Sequence, residues 1–190
     1  MKLFYTTTTG YNGVQTNSSR SLGGFKSATP VVNDDFSNLF GNISVLSIKN
    51  GRDEYRALVL KNEFAEAVND VKLAVFTPED AVCSYKVAVA PMNYSDKYGN
   101  RAMENVMAPN NKPFNAQFID AVNGGEIHIA DTIEGGGEIG IWICRHIDKE
   151  KAKEQYENVC EPDPTDRTGR RYKAVEKNTV ESVDFSFSWE

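Results

Sequence analysis

Histidine and cysteine are scarce in this 190-residue chain: His128 and His146 are the two histidines, and Cys83, Cys144 and Cys160 the three cysteines. An odd number of widely spaced cysteines excludes a disulfide framework and any local zinc-ligand spacing. Cys83 and Cys144 lie inside strand-like runs, where a thiol packs as a small apolar group; a reducing cytosol is the expected site of synthesis. Long apolar runs are also missing. Val87 to Met92 falls far short of the roughly 20 residues that cross a bilayer, and MKLFYTTTTG lacks the apolar stretch of a secretory signal. Charge of one sign is never concentrated: the net charge is -6, with acids and bases interspersed. No basic stripe points to nucleic acid and no like-charged block marks a tail.

Catalytic signatures are absent too. No GxSxG elbow occurs, and the serines concentrate near the N-terminus, where no rigid frame orients them against a histidine. Asp34–Asp35 and Glu79–Asp80 sit at turns, where capping accounts for them. The glycines between Glu134 and Glu138 lack the lysine and helix of a phosphate loop. Asp163 and Asp166 lack the twelve-residue frame of a calcium loop. The expectation is therefore no catalytic residue, no metal, no cofactor and no enzyme.

What the chain does have is alternation. DEYRALVLKN, residues 53 to 62, places Ala57 and Val59 on one face and Leu58 and Leu60 on the other, so both faces need a cover. VNDVKLAVFTP sets Val71, Leu73 and Val75 opposite Lys72, and VCSYKVAVAP sets Cys83, Tyr85, Val87 and Val89 on one face. Further strands are predicted for EIHIA, for GIWICRHI and for the terminal SVDFSFSWE, and a strand is also expected over Ile43 to Ile48 before the Asn50–Gly51 turn. Such period-two runs joined by turns predict a mainly β chain, an antiparallel β-sandwich of Ig-like or jelly-roll-like type. DKEKAKEQYENV predicts one short surface helix.

Two regions break the pattern. Residues 1–35, rich in Thr, Ser, Asn and Gly, predict an extended N-terminal arm, with the sandwich domain over 36–190. Residues 92–117, holding two prolines and several asparagines, predict a long loop and a first contact surface; a short helix is expected near Arg101 to Met107. The apolar and aromatic pegs of these regions, with a basic loop near the C-terminus, form the candidate interface: Tyr11, Val14, Leu22, Phe25, Tyr94, Tyr98, Arg101, Arg167, Arg170 and Arg171. Arms and loops suit assembly, because backbone pairing with a neighbour's sheet edge gives affinity. A second reading, a carbohydrate-binding module, would stack sugars on Tyr94, Tyr98, Trp142 or Trp189.

The order of segments resembles a class of virion structural proteins of tailed bacteriophages. Leu39–Phe40 precede a strand; Gly51, Glu54, Tyr55 and Arg56 open the next, which ends at Asn62; Val71, Lys72 and Leu73 follow. The similarity covers about residues 33 to 90, and the composition is similar to proteins of short-tailed phages of gut bacteria, including the crAss-like group. The resemblance implies an Ig-like or related sandwich that forms a ring or decorates a shell. Its implied role is a neck or tail subunit, a connector or tail hub, found in the virion after synthesis in the host cytoplasm. Its partners would be copies of itself and other virion proteins such as portal or tail subunits, with no membrane and no sequence-specific nucleic acid. The alternative is a capsid-decorating or carbohydrate-binding module of a phage fibre or cell surface.

Overall fold

The computed structural model describes residues 1–32, 39–41, 43–79, 81–155 and 183–190. Among these residues eleven strands form two antiparallel sheets. They are β1 (Lys2–Thr7), β2 (Gly24–Pro30), β3 (Arg52–Lys61), β4 (Val68–Phe76), β5 (Cys83–Ala90), β6 (Tyr94–Ser95), β7 (Arg101–Met103), β8 (Ile119–Asp120), β9 (Glu126–Ile133), β10 (Glu138–Ile147) and β11 (Asp184–Ser188). The large sheet runs β6-β7-β2-β1-β3-β10-β5-β8, and the small one β11-β4-β9. The architecture is mainly β and sandwich-like, as the alternation predicts.

The pleat sorts side chains as expected. Leu58 and Leu60 of β3, Ile141 and Ile143 of β10 and Val87 of β5 turn inward. They meet Val71, Leu73 and Val75 of β4 and Ile127 and Ile129 of β9 in one continuous core. β11 closes the small sheet against β4, with Phe185 and Phe187 packed on that core. Burying a side chain of this size contributes about 1.5–3 kcal/mol.

The opposite, outer face of the large sheet carries Tyr55, Ala57, Val59, Ala88, Ala90, Trp142 and Cys144, all buried. Its cover is intramolecular. The excursion over residues 92–118 lays Met92, Met103, Val106, Ala116 and Phe118 across it, and Leu22 joins from the N-terminal region. Backbone bonds anchor this cover to β3 where β1 stops pairing: Tyr55 N–H donates to Pro109 O (2.6 Å) and Ala57 N–H to Ser21 O (2.7 Å). Small residues allow the close approach. A Cβ on Gly140 would stand 2.8 Å from the Met103 methyl and 3.0 Å from Ala90.

The expected N-terminal arm is corrected. Residues 2–7 and 24–30 are strands of the large sheet, and β1 lies inside it, between β2 and β3. Phe4, Tyr5, Thr6 and Thr7 are buried. The hydroxyls that make the segment read as polar bond internally. Ser21 Oγ accepts from Thr6 N–H (2.8 Å) and donates to Ala57 O (2.5 Å), while Thr6 Oγ1 accepts from Gly23 N–H (3.0 Å). The boundary near residue 35 thus does not separate an arm from the body.

Two local expectations also change. Val45–Asn50 is a helix, α1, rather than a strand. Ser44 caps it by accepting from Ser47 N–H (3.1 Å), and Gly51, at φ +69°, ends it. Six residues of mixed apolar character fit either period, and the cap decides. Arg101–Met103 is strand β7, not a helix, because it pairs with β2 and β6. The predicted surface helix is present as α2, Lys149–Gln155, capped by Asp148 Oδ1, which accepts from Glu150 N–H (2.9 Å). Its Ala152 is fully buried in the main core, beside α1.

At one end of the core, Leu39 and Phe40 close the gap between the sheets. The Phe40 ring contacts two guanidinium groups, 5.1 Å from Arg56 Cζ and 4.8 Å from Arg145 Cζ. Arg56 donates to the Leu39 (3.1 Å) and Tyr55 (2.8 Å) carbonyls; Arg145 donates to Gly41 O (3.0 Å) and pairs with Glu54 (2.5 Å). Burial pushes the Arg56 guanidinium down to about 10, against the pull of Glu54. The other end is bolted by Asn62, fully buried. Its amide donates to the carbonyls of Glu66 (2.7 Å), Ile133 (3.0 Å) and Glu134 (3.1 Å), and its oxygen accepts from Phe64 N–H (3.0 Å).

Candidate functional site

Three surface features emerge from this frame: an open cleft, a polar grid on the outer face, and two aromatic turn tips. The cleft has a volume of about 600 Å³ and forms where the β9–β10 turn, the β5–β6 connection and the 99–101 turn meet Tyr11. Glu138, the first residue of β10, is its fixed point. Its Oε1 accepts from Tyr11 Oη (2.6 Å) and from Lys61 Nζ (3.3 Å). Partial burial, and then the Glu138 hydrogen bond, push the Tyr11 phenol up to about 12. Behind the Tyr11 ring lies Lys26, 5.0 Å from its centroid and 4.6 Å from that of Phe4, with its ammonium bonded to Asn12 Oδ1 and to Ser27 O (3.2 Å). Burial lowers the Lys26 pKa.

The grid arises from strand register. β10 lies between β3 and β5, so His146 stands opposite Asp53 and Ser84, and Cys144 opposite Tyr55 and Lys86. His146 Nδ1 and Asp53 Oδ1 are 2.7 Å apart; Lys86 pairs with Asp120 at 2.9 Å. Burial pushes the Cys144 thiol up to about 12, which keeps it protonated and unreactive. A second hollow of about 380 Å³ opens here, between Tyr55, Lys86, Lys112 and Phe118. The other histidine, His128, lies in the small sheet and pairs with Asp131 (3.2 Å), so the two histidines do not meet. Among the described residues no three His, Cys, Asp or Glu side chains come together as metal ligands, and no helix is long and apolar enough to cross a membrane.

The turn tips are built with care. Asp96 accepts from the backbone N–H of Tyr98 (2.9 Å) and Asn100 (3.0 Å) and from the Asn100 amide (2.8 Å), fixing a turn that leaves Tyr98 77% exposed. Glu104 accepts from Phe114 N–H and Asn115 N–H, both at 2.9 Å, and Phe114 is 91% exposed. Met107, on the same excursion, is 87% exposed.

The sequence-predicted interface residues separate into groups. Tyr11 and Arg101 are brought together on the cleft, where Arg101 Nε donates to Met92 O (3.0 Å). Leu22 packs into the outer-face cluster, and Phe25 is half-buried in the β1–β2 pairing. Val14, Tyr94 and Tyr98 are exposed. Arg167, Arg170 and Arg171, with Asp163 and Asp166, lie outside the described residues. Trp142 is buried against the outer-face cover, so no sugar reaches its ring; Trp189 is partly exposed, 6.2 Å from Phe64. Sequence reasoning passed over Glu138, Lys26, Met107 and Phe114. Phe114 carries a legible signal, a lone aromatic inside the turn-forming run NNKPFN; the Lys26–Tyr11–Glu138 association carries none, since 127 residues separate Tyr11 from Glu138. No family model matches the chain, and no curated protein is similar to it.

Proposed function

We propose that this chain is a structural subunit of a tailed-bacteriophage particle, a ring-forming neck or tail component that binds copies of itself and neighbouring virion proteins without catalysing a reaction. The observation that carries the reading is the pair of hydrogen-bonded turns that hold Tyr98 and Phe114 out in solvent. A mobile loop would let an exposed aromatic fold back; a turn fixed by a carboxylate keeps it out as a rigid peg. Rigid aromatic side chains are the residues that anchor protein interfaces, because they bury a large area with little loss of rotamer freedom. The resemblance over residues 33 to 90 supports the particle context, and a large sheet covered on both faces by its own chain supports a building-block role. Contacts then fall to the excursion rather than to an arm.

Analytical ultracentrifugation and negative-stain imaging of the full chain test this. A closed ring is expected, and Tyr98→Ser with Phe114→Ser should leave a folded protein that sediments as a monomer. A wild-type chain that stays monomeric at high concentration overturns the reading.

A further inference from the structure

We propose that the cleft at the β9–β10 turn is a binding site for a short neutral saccharide. Its volume, about 600 Å³, is within the range of roughly 300–1,000 Å³ typical of small-molecule sites. Its lining combines groups that a pyranose ring needs together. Tyr11 supplies an aromatic wall, already backed by the Lys26 ammonium, and Ala90 and Met92 an apolar one. Glu134 and Glu138 supply carboxylate acceptors; Arg101 and Asn100 supply donors. Sugar hydroxyls both donate and accept, so a lining of both signs satisfies them.

Other chemistries fit less well. A phosphate or carboxylate ligand would face two carboxylates against a single lining cation, Arg101. A cationic ligand would face Arg101, with Glu138 already paired to Lys61 at 3.3 Å. A wholly apolar ligand would strip water from these groups without replacing their hydrogen bonds. The site is also held in place before any ligand arrives. Tyr11 and Lys61 fix Glu138, Met92 O holds the Arg101 Nε, and Asp96 holds Asn100 through its backbone N–H and its amide. Preorganisation of this kind reduces the ordering cost of binding.

Saturation-transfer NMR on the full chain tests the proposal, with glucose, galactose, N-acetylglucosamine and their β-linked dimers as probes at millimolar concentration. At least one probe should receive saturation. Arg101→Ala and Glu134→Ala, both at exposed positions, should each weaken its binding about tenfold or more, equivalent to about 1.4 kcal/mol. Val122→Ser, exposed and outside the cleft lining, should leave it unchanged. Absence of transfer to every probe, or binding that survives both cleft substitutions in proteins shown to be folded by circular dichroism, overturns the proposal. Either result leaves the ring test unaffected, since that assay contains no sugar.

Discussion

The two faces of the large sheet are packed by different means. The inner face meets another sheet, and its side chains are large and branched: Leu58, Leu60, Ile141, Ile143. The outer face meets irregular backbone, and its side chains are mostly small: Ala57, Ala88, Ala90 and Gly140, beside the two large rings of Tyr55 and Trp142. Sheet-on-sheet packing leaves about 10 Å for side chains to interdigitate. Backbone laid directly on a sheet leaves less room, and it brings N–H and C=O groups that must be bonded, as Tyr55 and Ala57 are to Pro109 and Ser21. One strand can therefore be apolar on both sides and still be built to two specifications.

The sharpest way to break that comparison is to remove the outer cover's support. Deleting residues 1–30 takes away β1, β2, Ser21 and Leu22 together. The expected result is loss of the folded β signal by circular dichroism, and a cooperative melt in the truncated protein would show that β1 is dispensable. Next, Leu58→Ala on the inner face should cost about 2–5 kcal/mol in denaturant unfolding through the cavity it leaves. Ala88→Leu on the outer face should cost about 1–3 kcal/mol through overpacking, whereas the volume-conserving Ile141→Leu on the inner face should stay under about 1.5 kcal/mol. Equal tolerance of Ala88→Leu and Ile141→Leu would erase the distinction between the faces. Asn62→Ala takes the donor from one buried carbonyl, Ile133 O, and two part-buried ones, and should cost about 1–3 kcal/mol.

The smallest effect concerns Tyr11. Its phenol is raised from 10.0 to about 12 in the folded state, so between those values the native protein holds a proton that the unfolded chain has released. The stability this contributes is present below pH 10 and is lost as pH rises through about 12. Tyr11→Phe should remove one late-ionising phenol from an ultraviolet titration and flatten the decline in stability over that interval.

The inner face was legible because alternation reports burial directly: Val71, Leu73 and Val75, predicted to share a face, are all in the core. The outer face was legible only as a need. The apolar character of Ala57 and Val59 demanded a cover, but the covering segments have no period of their own, since irregular backbone imposes none. The N-terminal strands were misread because Thr6, Thr7, Ser21 and Ser27 are polar yet buried, their hydroxyls satisfied by distant partners, by a neighbouring hydroxyl or by local backbone. Of the candidate cleft, Tyr11 and Arg101 stood out in the sequence as isolated side chains. Their convergence depends on the β9–β10 turn, and pairings between distant segments leave no local trace.

The position of β10 has a consequence for how the molecule comes into being. β3 must wait for it, since Lys61 pairs with Glu138 and Arg52 with Ile147, and β5 waits on the same strand. During translation the first half of the chain emerges with its widest apolar ribbon paired to β1 only over Leu58–Lys61 and with its other edge unpaired. The large sheet closes only once residue 147 has left the ribosome, so folding should be slow, as it is for topologies dominated by distant pairings, and nascent chains stalled before that point should depend on chaperones to stay out of aggregates.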